Sequence, residues 1–141
     1  RAIQRTTYDE PRATRNMIKS LDHLVLTTRD AGKCIDFYTN CLGMRLETFG
    51  NGRKALCFGE QKINLHDKNT VTDSYAAYPT PGSLDLCFLA DRPLDEVIAK
   101  LREANIPIEL GPVQRTGARF PLRSVYVRDP DQNLIEISEA A

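Results

Sequence analysis

The stretch Ser20-Leu21-Asp22-His23-Leu24-Val25-Leu26-Thr27-Thr28 decides the fold, because its opening words return later as Ser83-Leu84-Asp85-Leu86-Cys87-Phe88-Leu89-Ala90. The first copy is rich in strand formers, and period-two alternation puts Leu21, His23, Val25 and Thr27 on one face. A helix follows each copy. After the first, Asp30 is placed to cap it, Cys34, Phe37, Tyr38 and Cys41 form an apolar stripe at helical spacing, and Gly43 supplies the left-handed stop. After the second, Pro93 opens a helix marked by Leu94, Val97, Ile98 and Leu101. Three strands then close each unit. They are expected at residues 44–49, 54–58 and 62–66 in the first, and at 106–109, 123–128 and 134–138 in the second. Gly50-Asn51-Gly52 and Gly59-Glu60-Gln61 turn the first set, and Asp129-Pro130-Asp131-Gln132-Asn133 joins the last two strands. The chain reads as two successive βαβββ units of an α+β domain, about residues 20–66 and 83–138, hinged at Tyr78-Pro79-Thr80-Pro81-Gly82.

Composition agrees with one globular domain and narrows its partners. Of 141 residues, 41% are hydrophobic and 27% charged, enough for a packed core. Nineteen Lys and Arg balance nineteen Asp and Glu, so the broad basic field that nucleic acid rewards is missing, and a small molecule is the expected partner. No apolar run approaches the ~20 residues of a membrane span. The cysteines, Cys34, Cys41, Cys57 and Cys87, lack any C-x-x-C pairing. On a shared helix Cys34 and Cys41 would stand roughly 10 Å apart, too far for a disulfide. Cys57 and Cys87 fall in apolar runs and read as small buried hydrophobes. A reducing, cytoplasmic location is therefore expected. Residues 1–18 carry Arg1, Arg5, Arg12 and Arg15 without a sustained period and read as a flexible tail before a single domain at 19–141. If that tail is a targeting remnant, the location becomes mitochondrial.

The doubled unit, with Phe37-Tyr38 and Leu42-Gly43-Met44 after the first strand and Asp129-Pro130-Asp131 before the last, resembles the vicinal oxygen chelate superfamily. That superfamily holds glyoxalase I, bleomycin-resistance proteins, fosfomycin-resistance enzymes, methylmalonyl-CoA epimerase and extradiol dioxygenases. The resemblance runs from Leu21 to Ser138. The phrases Arg53-Lys54-Ala55-Leu56-Cys57-Phe58-Gly59, Lys62-Ile63-Asn64-Leu65-His66 and Pro81-Gly82-Ser83-Leu84-Asp85-Leu86 look like the glyoxalase domain-containing subgroup of the five type. It implies curved sheets that form a cleft, with metal ligands drawn from the first and last strands of each module.

Carried onto this sequence, the resemblance makes His23 the first metal ligand and Glu136 the terminal one. On the fourth strand the family places Glu or Gln where Asn64 stands; His66 lies two residues further on the same face, and imidazole is the better ligand for a borderline divalent metal, so His66 is favoured. At the start of the second module the best register gives Asp85, as a fourth ligand, a proton shuttle, a residue holding His66, or a strand-start cap. Two imidazoles and a carboxylate leave coordination positions open, which suits Zn(II), Ni(II), Mn(II) or Fe(II). The function implied is a metal-dependent lyase or isomerase that stabilises an enediolate on vicinal oxygens while Glu136 or Asp85 moves a proton. The ligand pattern departs from that of glyoxalase I at Asn64 and Asp85. Arg115 and Arg119, in Arg115-Thr116-Gly117-Ala118-Arg119, are candidate grips for an anionic substrate. An Fe(II) extradiol-type dioxygenase and a metal-free binder of the bleomycin-resistance type are the alternatives. Family members often pair modules between chains, and a homodimer with two sites is expected.

Overall fold

The computed structural model describes residues 17–141, so the expected tail, residues 1–18, lies outside the described residues except for Met17 and Ile18. Its elements follow the repeat: β1 (His23–Thr27), α1 (Ala31–Asp36), β2 (Arg45–Phe49), β3 (Arg53–Phe58) and β4 (Gln61–His66), then β5 (Asp85–Leu89), α2 (Leu94–Glu103), β6 (Leu110–Thr116), β7 (Pro121–Arg128) and β8 (Leu134–Ala140). Each unit folds into one mixed four-stranded sheet. The orders are β1-β4-β3-β2 and β5-β8-β7-β6, with the first strand of each unit parallel to the last and the other pairs antiparallel. No helix among the described residues is long and apolar enough to cross a membrane.

Local chemistry explains the helix boundaries. Asp30 is extended at φ −144° and accepts the Lys33 N–H at 3.0 Å, which satisfies a donor the first turn cannot use internally. The single helix expected across residues 31–41 instead widens after Asp36 into a π-helical turn, Phe37–Cys41, with Phe37 and Tyr38 buried and Cys41 only half-buried. Gly43, at φ +74°, then stops it. In α2, Pro93 holds the cap position and has no side chain to offer; the Leu94 N–H is taken by Glu139 Oε2 of β8 at 2.8 Å. Arg123 of β7 bridges that same Glu139 and Asp95 of α2, tying the helix to its sheet.

The strand expected at residues 106–109 is not one. That segment is irregular, with Ile106 and Ile108 half-buried against the core, and β6 begins at Leu110. Gly111 and Pro112 fit within β6 because it is an edge strand, where a residue without an N–H removes no ladder bond from a neighbour, and a register shift between Leu110 and Val113 absorbs the irregularity. The cysteines are free. Burial pushes the Cys34 thiol up to about 12, with the Asp129 charge adding to the rise, so it behaves as an inert hydrophobe. Cys57 is half-buried and Cys87 exposed, because both stand on outward sheet faces, contrary to the burial their apolar neighbours suggested.

The even-numbered side chains of β1 and β5 point inward. Leu26, Leu56, Ile63 and Leu65 of the first sheet join Val125, Val127, Ile135 and Ile137 of the second in one core, with Phe37, Tyr38, Leu94 and Leu101 between. Phe58 and Phe88 meet edge-on across the two units at 5.2 Å. The units therefore share their apolar faces and turn their polar faces outward.

The polar link between them is the turn at residues 129–133. Asp129 is 1% exposed and its carboxylate accepts from the Asp131 and Asn133 N–H groups, from Asn133 Nδ2, and from Tyr38 Oη of the first unit at 2.6 Å. Asp131 Oδ1 accepts the Arg29 N–H, and Asn133 Oδ1 the Leu84 N–H. Gly82, at φ +81°, passes so close that a Cβ would lie 2.5 Å from the Asp131 carbonyl oxygen. Removing one donor from a buried carboxylate costs about 1–3 kcal/mol. Tyr38→Phe is expected to lose stability in that range by urea unfolding, and an unchanged midpoint would show that the link does not hold the units together.

Candidate functional site

Register arranges the outward face of the first sheet. In the parallel β1/β4 pair His23 lies opposite Lys62, Val25 opposite Asn64, and Thr27 opposite His66. His23 and Asn64 are thus diagonal neighbours on one face. His66 stands opposite a residue four positions beyond His23, roughly 13 Å along the strands, and side chains that rise side by side from a sheet do not converge over that distance. The expected pair of His23 and His66 on one ion is therefore not formed; Asn64 is the fourth-strand side chain beside His23. His23 is half-exposed, with Nδ1 at 2.8 Å from Asp22 Oδ1. Asn64 is 5% exposed, and its Oδ1 has no hydrogen-bond partner among the described residues. His66 is 8% exposed with Nε2 likewise unpartnered, and burial, then the nearby Arg53 charge, lowers its pKa and favours the neutral ring.

The second sheet presents a carboxylate in a ring of hydroxyls. Glu136 of β8 stands opposite Tyr126 of β7 on one side and Cys87 of β5 on the other. Its Oε2 accepts from Ser124 Oγ at 2.7 Å and Ser138 Oγ at 3.2 Å, and Ser124 and Ser138 are fully buried and 2.6 Å apart. Desolvation pushes the Glu136 carboxyl up, but the hydrogen bonds from Ser124, Tyr126, Ser138 and Cys87 outweigh it and hold the pKa below the ordinary glutamate value. The ionised form is favoured. Asp85 begins β5 on this same face, opposite Leu134 and exposed.

The two candidate arginines separate. Arg115 is in β6 rather than a loop, on the Glu136 face, where its Nε donates to Tyr126 Oη at 2.9 Å and its guanidinium lies 5.3 Å from that ring. Arg119 occupies the connection between β6 and β7, exposed and 5.2 Å over Phe120.

Two groups of side chains result, and the shared core lies between them. His23 and Asn64 belong to one outward face; Glu136, Asp85 and Arg115 belong to the other. Among the described residues no group of three or more His, Cys, Asp and Glu side chains comes together to hold a metal ion. Sequence reasoning missed Ser124, Ser138 and Tyr126 around Glu136. The available signal was a serine beside the most apolar part of each strand, Ser124 before Val125 and Ser138 after Ile137, where a hydroxyl that becomes buried needs a partner.

The profile of the Glyoxalase/Bleomycin resistance protein/Dioxygenase superfamily matches residues 20–137. A virulence protein of Salmonella typhimurium is 47% identical over 94% of this chain and 92% of its own length, and its crystal structure superposes with a TM-score of 0.86 over 89% of this chain and all of that one. A glyoxalase domain-containing protein of Mycosarcoma maydis is 54% identical over 86% of this chain and 68% of its own. A lactoylglutathione lyase from Agrobacterium tumefaciens, 23% identical with a TM-score of 0.66 over 86% of this chain and 94% of that one, shares the fold. The βαβββ repeat, the paired four-stranded sheets and these matches agree: the chain belongs to the Glyoxalase/Bleomycin resistance protein/Dioxygenase superfamily.

Proposed function

We propose that the protein is a glyoxalase-like, metal-dependent lyase or isomerase, working as a homodimer on a small substrate with vicinal oxygens. The observation that carries this reading is Asn64 Oδ1, a buried carbonyl oxygen without a partner among the described residues, on the sheet face that also carries His23. Leaving such an oxygen unmet is costly, and a cation meets it. The donor chemistry fits: an imidazole and an amide oxygen on one module, an ionised carboxylate on the other. His23 and Asn64 of one subunit with Glu136 of the partner subunit would hold the ion. When bound, a divalent ion supplies Lewis-acid polarisation of two neighbouring substrate oxygens.

The chain's own residues support the rest. Ser124 and Ser138 engage Oε2 of Glu136, which fixes the carboxylate and leaves Oε1 to face the ion in the free protein and, once the substrate oxygens take its place there, to accept the proton from the carbon beside them. Arg115 is oriented by Tyr126 on the same face and meets negative charge. The outward faces also carry apolar residues that a second copy would cover: Val25 is 40% exposed, Leu89 52% and Leu110 45%. Pairing the first module of one chain with the second of its partner joins the two groups of side chains that one chain keeps apart.

Two outcomes are expected. Dimers of His23→Ala alone or Glu136→Gln alone should neither retain a stoichiometric divalent ion nor catalyse exchange of the proton beside the substrate oxygens with deuterated water. Co-expression of the two variants makes about half the dimers mixed, each with one intact site of two, and should restore about a quarter of the wild-type rate. Exchange that stays absent in the mixture would show that the site is not shared between subunits. Ser124→Ala removes a bond that favours the ionised carboxylate, so the Glu136 pKa should rise and the acidic limb of the kcat/KM profile should move to higher pH. A limb that stays in place would exclude Glu136 as the base.

A further inference from the structure

Beyond the end of β4, the connection at residues 67–82 borders an open cleft of about 510 Å³ against the ends of β1 and β4. His66 lines it with a ring that is more than nine-tenths buried and an Nε2 that has no partner among the described residues. Arg29 and Lys68 also line it, and neither side chain forms an ion pair among the described residues. The carboxylate in the lining belongs to Asp67, and its Oδ1 is already engaged by the Asn69 N–H and Thr70 Oγ. Arg29 is fixed at its backbone, where its N–H donates to Asp131 Oδ1. In the lining, two cations without ion pairs stand against the Asp67 carboxylate, one of whose oxygens is engaged, around a buried ring nitrogen; the Asp131 carboxylate, on the backbone side of Arg29, is outside the lining, and the balance favours a negatively charged guest.

We propose that this cleft is an anion subsite, which takes the carboxylate or phosphate group of a small organic acid through the unpartnered His66 Nε2 and the Arg29 and Lys68 side chains. It rests on the function proposed above only for its orientation. His66 follows Asn64 by two residues on one strand face, roughly 7 Å, so an acid anchored at His66 presents its other end to Asn64 and His23. The substrate class that follows is a short acid whose vicinal oxygens lie about that distance from its anionic group. His66 thereby has a role different from metal ligation, matching its separation from His23.

The test is calorimetric titration of the full chain, without added metal, with succinate in one arm and inorganic phosphate in the other. The wild type is expected to bind at least one of them at millimolar concentration or better, and the tighter arm identifies the group. Arg29→Ala and Lys68→Ala, both at exposed positions, should each weaken binding about tenfold without changing the melting temperature of the free protein, a loss of about 1.4 kcal/mol. His66→Phe should abolish binding and leave the free protein no less stable, since it removes an unmet polar atom; a fall in its melting temperature together with unchanged anion affinity would make His66 merely structural and overturn the proposal. So would a wild type that binds neither anion, or arginine and lysine variants that bind as well as it does. His23→Ala should keep anion binding, so a protein that binds the anion but no metal would sink the proposed reaction and leave the subsite standing.

Discussion

The Asp129 carboxylate is the constraint on which the arrangement of the two units depends. A buried charge is tolerated only when its lone pairs are met, and here two backbone N–H groups, one amide and one phenol meet them. Three of those donors come from within the turn; the fourth, Tyr38 Oη, comes from the helix of the other unit. Burial and the hydrogen bond to Asp129 hold the Tyr38 phenol protonated well above its usual range, so the donor persists throughout the physiological span. The π-helical turn keeps both Phe37 and Tyr38 buried, packed edge-on at 5.0 Å, and Gly82 lets the connection between units run against the back of the turn.

Once that contact is made, the direction of every strand side chain follows. The apolar faces meet in one core, so the residues at odd positions of β1 and even positions of β8 look outward. Duplication has placed equivalent positions on both units, and their chemistry differs. The first unit offers a half-exposed imidazole and an unmet amide oxygen; the second offers a carboxylate held ionised by serines. Two cations of this sheet are partly occupied: Lys62, opposite His23, has its Nζ 3.9 Å from the centre of the Phe49 ring, and the guanidinium of Arg53, near His66, lies 4.9 Å from it. On the proposed reading, each chain thus carries two complementary halves of a site shared between subunits.

The repeat was legible because each unit states its pattern twice over: alternation, helical stripe, left-handed glycine, turn. Asp30 and Gly43 marked their helix ends by the same chemistry that the structure uses. What escaped was every feature that depends on which element lies beside which. β6 was expected at residues 106–109 and lies at Leu110–Thr116, since nothing in the local text says that a strand through Gly111 and Pro112 will be an edge. Ser124 and Ser138 looked like ordinary polar positions until pairing of β7 with β8 set them beside Glu136. The turn at residues 129–133 was readable as a turn but not as a joint, because Tyr38 lies 91 residues away from Asp129.

The fourth-strand position shows how a small geometric quantity decides chemistry. Residues 64 and 66 share a face, so alternation alone treats them as equivalent, and ligand preference favours the imidazole. Parallel pairing breaks the tie, since β1 begins opposite Lys62 and only the earlier of the two positions adjoins His23. A shift of two residues in that register would exchange their roles without altering one hydrophobic contact in kind. Imidazole is the stronger donor to a borderline metal, but donor strength acts only within reach, and the ladder sets reach. The same two-residue step that carries His66 beyond Asn64 places it at the connection of residues 67–82, in one cleft with Arg29 and Lys68, where its unpartnered Nε2 belongs to the proposed anion subsite rather than to the metal.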